Sequence, residues 1–126
     1  MQQLMKRQIL ILFVLLASCL AAFSQSSYYV GQARSYMRDA EYYIGKAENY
    51  DRDADYYEKK AKDYLREAEY YSRNKQESRA RDYRRKADRE TDNARQSRRK
   101  ANDAKDNARQ SLRRAADAMD RAKSRY

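Results

Sequence analysis

Alanine recurs every seven residues along this chain, at 33, 40, 47, 54, 61 and 68, and tyrosine keeps the same interval at 29, 36, 43, 50, 57, 64 and 71. Each Ala is followed by a Tyr three residues later, and each Tyr by an Ala four residues later. That is the heptad rule, with Ala at a and Tyr at d, and it demands a helix that buries one stripe against a partner helix. A second set, Tyr28, Tyr42, Tyr56 and Tyr70, falls at c in every second heptad, so the true unit is fourteen residues long.

The beat continues at Ala80, Ala87, Ala94, Ala101, Ala108, Ala115 and Ala122, where RQSRRKANDAKDNA aligns with RQSLRRAADAMDRA. The d positions here are mostly small: Tyr83, Glu90, Ser97, Ala104, Ser111, Ala118 and Arg125. From Ala68 to Ala80 is twelve residues, which in one continuous helix would rotate the stripe by about 120°. The polar run from Ser72 to Ser78 is therefore the place for a turn, although it holds no Gly or Pro.

A chain folded back there pairs core residues whose numbers total 151, so Tyr36 meets Ala115, Tyr43 meets Ala108, Tyr50 meets Ala101 and Tyr57 meets Ala94. Large faces small, which lets two helices approach without voids. The flanks support the same register. Opposed g positions match Asp39 with Arg114, Asp53 with Lys100 and Glu67 with Lys86, while Lys60 faces Asn93. Opposed e positions match Val30 with Met119, Met37 with Leu112 and Asp51 with Arg98. Ile44 with Lys105 and Leu65 with Arg84 are the mismatches, where a basic stem can lie over an apolar neighbour. The expected fold is all-α: a long antiparallel two-helix coiled-coil hairpin, with helices over 28–72 and 77–125 and a turn at 73–76. With no Pro, two Gly and 38% charged residues, the composition also favours long helices over sheets.

The first 24 residues read as a signal peptide. Lys6 and Arg7 precede an apolar run from Ile9 to Phe23, too short for a comfortable span of about 20 residues, and Ala22-Phe23-Ser24 suits cleavage before Gln25. A rival reading takes Leu16-Ala17-Ser18-Cys19 as a lipobox with lipidation at Cys19, and a third leaves the segment as an uncleaved anchor. Export into a periplasmic or extracellular, envelope-associated setting follows as an expectation. A mature chain beginning at Gln25 (residues 25–126) has no Cys and no His, which removes the usual zinc sites, Cys nucleophiles, His-based triads and disulfides. It also has no Gly-rich phosphate loop, and its carboxylates follow the heptad flanks. The expectation is a protein without catalytic, cofactor or metal residues. The Ala spacing resembles that of alanine-zipper envelope lipoproteins, over the Ala positions alone; the tyrosine stripe and the turn depart from that pattern.

Two surface features remain. The c-position tyrosines Tyr28, Tyr42, Tyr56 and Tyr70 point away from the partner helix. Either they pack locally, with Tyr42 and Tyr56 four residues before Lys46 and Lys60, or they are contacts for a protein partner, self or envelope component. Charge is also uneven. Residues 25–73 carry 9 basic and 10 acidic side chains, a net of −1; residues 74–126 carry 18 and 9, a net of +9. The basic clusters Arg84-Arg85-Lys86, Arg98-Arg99-Lys100 and Arg113-Arg114 recur near the fourteen-residue period. They read either as a solvated face with i,i+4 pairs or as a site for an anionic polymer such as lipopolysaccharide, acidic glycan or extracellular nucleic acid. Motifs of sequence-specific nucleic-acid readers are absent.

Overall fold

The protein, seen in a computed structural model, is described at residues 2–22 and 27–124, with side chains described at 3–15 and 27–124. Helix α1 runs Gln2–Ala22, α2 Ser27–Arg73 and α3 Glu77–Lys123. The fold is all-α, and α2 and α3 pack as a helical hairpin. Every alanine of the two a-position series is buried. The chain divides into two compact units: Lys46–Asp103, which holds the turn, and Met1–Gly45 with Ala104–Tyr126.

In the turn unit, the end of α2 is closed by backbone geometry instead of Gly or Pro. The Gln76 amide donates to the Tyr71 carbonyl at 2.9 Å, and the Lys75 amide donates to the Ser72 carbonyl at 3.2 Å. Lys75 sits in the left-handed region, with φ of 58°. These two bonds and that φ define a Schellman cap, which normally places Gly where Lys75 stands. Two side chains hold the corner: Asn74 Nδ2 donates to the Tyr70 carbonyl at 2.9 Å, and Ser72 Oγ donates to Glu77 Oε1 at 2.8 Å. A non-Gly residue in the left-handed region costs about 1–2 kcal/mol. Lys75→Gly is therefore expected to stabilise the protein by about 1 kcal/mol in chemical denaturation; a loss of stability would mean that the Lys75 side chain contributes more than its backbone costs.

The half-buried tyrosines Tyr50, Tyr57, Tyr64 and Tyr71 of this unit alternate with buried Ala54, Ala61 and Ala68. Tyr83 of α3 lies between two of them, 6.1 Å from the Tyr64 ring and stacked on Tyr71 at 5.3 Å. Tyr71, burial and Glu67 together raise the Tyr83 phenol above its ordinary pKa. Among the flanks, the expected e pair forms: Arg98 Nη1 donates to Asp51 Oδ1 at 3.0 Å. The expected g pairs do not. Lys100 lies over the Tyr50 ring at 5.8 Å, and Lys86 over Tyr83 at 4.8 Å and Tyr64 at 5.9 Å. No ion pair joins Asp53 to Lys100, Glu67 to Lys86 or Asp39 to Arg114 among the described residues. An exposed ion pair contributes about 0–1 kcal/mol, while a lysine over a ring gains a similar amount and covers apolar surface with its stem. Lys60 likewise passes over Asn93 for Glu90, 3.9 Å away, whose carboxylate is the main cause of a raised Lys60 pKa.

The other unit has a thicker apolar core. Val30, Ala33, Met37 and Ala40 of α2 meet Leu112, Ala115, Ala118, Met119 and Ala122 of α3, in keeping with the expected apolar e pairs. Ile44 is half-buried and Lys105 is buried. Helix α1 joins this core, burying Ile9 and packing Phe13 against it. Among its described side chains, Met5 is half-buried and Leu4, Leu10, Ile11, Leu12, Val14 and Leu15 are exposed. No described helix is long and apolar enough to cross a membrane. The expected cleavage point before Gln25 lies outside the described residues, as does the side chain of Cys19.

Candidate functional site

The c-position tyrosines stand on α2, and each leans edge-on against the d-position tyrosine that follows it. In the α1-bearing unit, the Tyr28 and Tyr29 ring centres are 5.2 Å apart and those of Tyr42 and Tyr43 are 5.4 Å apart. In the turn unit the same arrangement recurs at Tyr56–Tyr57, 5.5 Å, and Tyr70–Tyr71, 5.3 Å, with interplanar angles of 61° and 75°. Such edge-to-face pairs are worth about 0.5–1.5 kcal/mol beyond area burial. One ring of each pair covers the alanine seam, and the other holds it in place from outside. Lys60 adds a cation over Tyr56 at 5.3 Å, and Gln32 Nε2 donates to the Tyr28 hydroxyl at 3.1 Å. The outer rings still present much of their surface to water: 68% of Tyr28, 57% of Tyr42 and Tyr56, and 59% of Tyr70. Local packing thus engages part of each outer tyrosine, and more than half of each residue remains exposed.

The basic residues singled out on α3 have different fates. Arg84 reaches Glu77 at 3.8 Å and Arg85 reaches Asp82 at 4.0 Å. Lys86 and Lys100 lie over tyrosine rings. Arg98 is drawn across to α2, where its guanidinium meets Asp51 at 3.0 Å, Asp55 at 2.5 Å and Glu58 at 3.3 Å. Burial alone would lower its pKa; the hydrogen bonds to Asp55 and Asp51 and the charge of Glu58 outweigh that and raise it. Arg98 is therefore neutralised within the hairpin and offers little to an external anion. Arg99, Arg113 and Arg114 are exposed and carry no ion pair among the described residues.

Sequence patterning did not single out a groove on the e side of the turn unit. It has a volume of about 560 Å³ and is lined by Ala61, Lys62 and Leu65 of α2 and by Thr91, Ala94, Arg95, Arg98 and Arg99 of α3, with Glu58 at one end. It opens because Thr91 is too short to reach across, and because Ala61 and Ala94 make a low floor. The mismatch at Leu65 was its one sequence signal: Leu65 stays 51% exposed while Arg84 turns to Glu77. Among the described residues no group of three potential metal ligands comes together.

Comparison with protein-family models, characterised proteins and solved structures finds no match to this chain.

Proposed function

We propose that this chain is a non-enzymatic, exported helical-hairpin protein of the bacterial cell envelope, with a structural or adaptor role exercised through protein–protein contacts. The observation that carries this reading is the fourfold recurrence of an exposed tyrosine held edge-on by a seam tyrosine. Rings kept rigid and partly bare give large contact area at low entropic cost when a partner covers them. The charged N-terminal pair followed by an apolar helix supports export.

The test is a comparison of envelope fractions from cells making the chain or its Tyr28/Tyr42/Tyr56/Tyr70→Ser variant. The expected result is that both are exported and folded, and that the variant loses the cross-linked neighbours of the unaltered chain. An unchanged neighbour profile would sink the tyrosine contact reading, and cytoplasmic retention of both would sink export. A second reading, a binding module for anionic polymers through α3, draws support from the exposed Arg99, Arg113 and Arg114. It requires retention on an anionic matrix that falls steeply with salt.

A further inference from the structure

The fourteen-residue repeat of α3 places equivalent residues in two grooves, one in each unit. In the unit that holds α1, a groove is lined on α3 by Arg109, Leu112, Arg113 and Ala116. Its other wall is a helix: Met5, Gln8, Ile9 and Leu12 of α1 line it at i, i+3, i+4 and i+7 spacing, and Arg109 Nη2 lies 3.2 Å from Met5 Sδ. Fourteen residues earlier, Arg95, Arg98 and Arg99 stand where Arg109, Leu112 and Arg113 stand, and these line the groove of the turn unit. The α3 face at Arg109, Leu112 and Arg113 thus meets a helix in one unit, whereas the repeat-equivalent face at Arg95, Arg98 and Arg99 lines an open groove against α2 in the other.

The open copy differs in charge. Where Leu112 meets α1, the turn unit has Arg98, already bound to three carboxylates. The α3 rim is otherwise cationic, with Arg95 and Arg99, while the α2 rim carries Lys62 and, at one end, Glu58. Lys62 and Arg99 have no ion pair among the described residues, and Arg95 has a contact of 3.8 Å to Asp92 with its side chain 71% exposed. The floor is apolar, formed by Ala61, Ala94 and the exposed Leu65. An apolar floor beside the cationic α3 rim selects a helix with an apolar stripe and an acidic flank toward Arg95 and Arg99, and disfavours a basic-flanked helix.

We propose that the groove between Leu65 and Arg99 seats an acidic amphipathic helix of a partner protein, as the third helix of a bundle. This rests on the reading that the chain works through surface contacts, and it names the kind of partner. The probe is a synthetic helical peptide of about 15 residues, the length at which an isolated helix begins to hold in water, with leucines on one face and glutamates beside them. Binding to the full chain is measured by fluorescence anisotropy. The expected result is binding that weakens at least tenfold in Arg95→Glu/Arg99→Glu, and also in Thr91→Leu, which fills the groove without changing charge. Circular dichroism melts check that both variants are folded.

No binding by the folded chain, equal binding by the variants, or equal binding of a lysine-flanked peptide each overturns the proposal. So does binding of phosphatidylglycerol vesicles in place of the peptide, lost in the same variants, which would make the groove a lipid site. The Tyr28/Tyr42/Tyr56/Tyr70→Ser variant should bind the peptide normally. Failure of the groove with an intact tyrosine contact profile would leave the surface-contact function standing.

Discussion

Replacing Tyr36, Tyr43, Tyr50 and Tyr57 with serine is expected to abolish the cooperative thermal transition of the hairpin, whereas the same change at Tyr28, Tyr42, Tyr56 and Tyr70 leaves a folded protein with a lower melting temperature. The seam tyrosines are the bulk of a core whose other members are mostly alanine. A buried aromatic ring removed from an ordinary core costs about 3–5 kcal/mol. These rings are half-buried, so about 1–2 kcal/mol each is the reasonable scale, and four together approach the whole stability of a typical domain. The outer tyrosines lose only their edge-to-face contribution, a few kcal/mol in all at about 0.5–1.5 kcal/mol each. Far-ultraviolet circular dichroism during a melt separates the two outcomes. If the outer set unfolds the protein as thoroughly as the seam set, those rings are buried in an assembly and the hairpin is only its subunit.

Arg98→Leu is expected to be the most damaging single change on α3, and Asp51→Leu/Arg98→Leu to be close to neutral. The Asp51 side chain is 9% exposed and that of Arg98 27%, so the pair is largely withdrawn from water. Removing one member of a buried pair costs about 3–5 kcal/mol, because the other charge remains in a poor solvent. Asp55 and Glu58 are more exposed and recover water when Arg98 is lost. Removing both members replaces the layer with the kind found fourteen residues away, where Met37 and Leu112 are buried in one apolar cluster. Urea denaturation of the two single variants and the double variant gives the coupling directly. Additive losses would mean that Asp51 and Arg98 act independently and that the salt bridge does not set this layer. An ionic layer where an apolar one fits works as a register device against a one-heptad slip in one direction, which would set Asp51 against Thr91 and Arg98 against Ile44 and leave both charges without their partner.

Much of the architecture was legible in the sequence. The two alanine series specify which face of α2 and α3 is buried, and the twelve-residue interval between Ala68 and Ala80 specifies where the chain turns. Large-against-small layering and the Asp51–Arg98 match supply the register. These readings succeeded because periodicity constrains Cα positions, and a short side chain such as Ala goes where its Cα goes. The turn itself was less legible, because a Schellman cap was reached with Lys75 in the place of Gly. The exposed position of the outer tyrosines follows from heptad geometry, but their edge-on pairing with the seam tyrosines appears only once rotamers are chosen.

Tertiary structure decided what the long side chains do and where the non-periodic helix sits. Lys86 and Lys100 choose tyrosine faces over Glu67 and Asp53, and Arg98 gathers two further carboxylates, Asp55 and Glu58, besides the expected Asp51. The competing partners of a flexible cation differ by less than about 1 kcal/mol at an exposed site, a margin that spacing does not encode. Helix α1 carries apolar residues on more than one side, Leu4, Leu10, Ile11 and Val14 as well as Met5, Ile9 and Leu12, so its sequence does not single out the side that meets α3. That choice comes from the shape and apolar floor of the groove around Leu112. The open groove beside Leu65 has the same origin: Thr91 and two alanines are unremarkable one at a time, and only packing two helices across them leaves a space that another helix can fill.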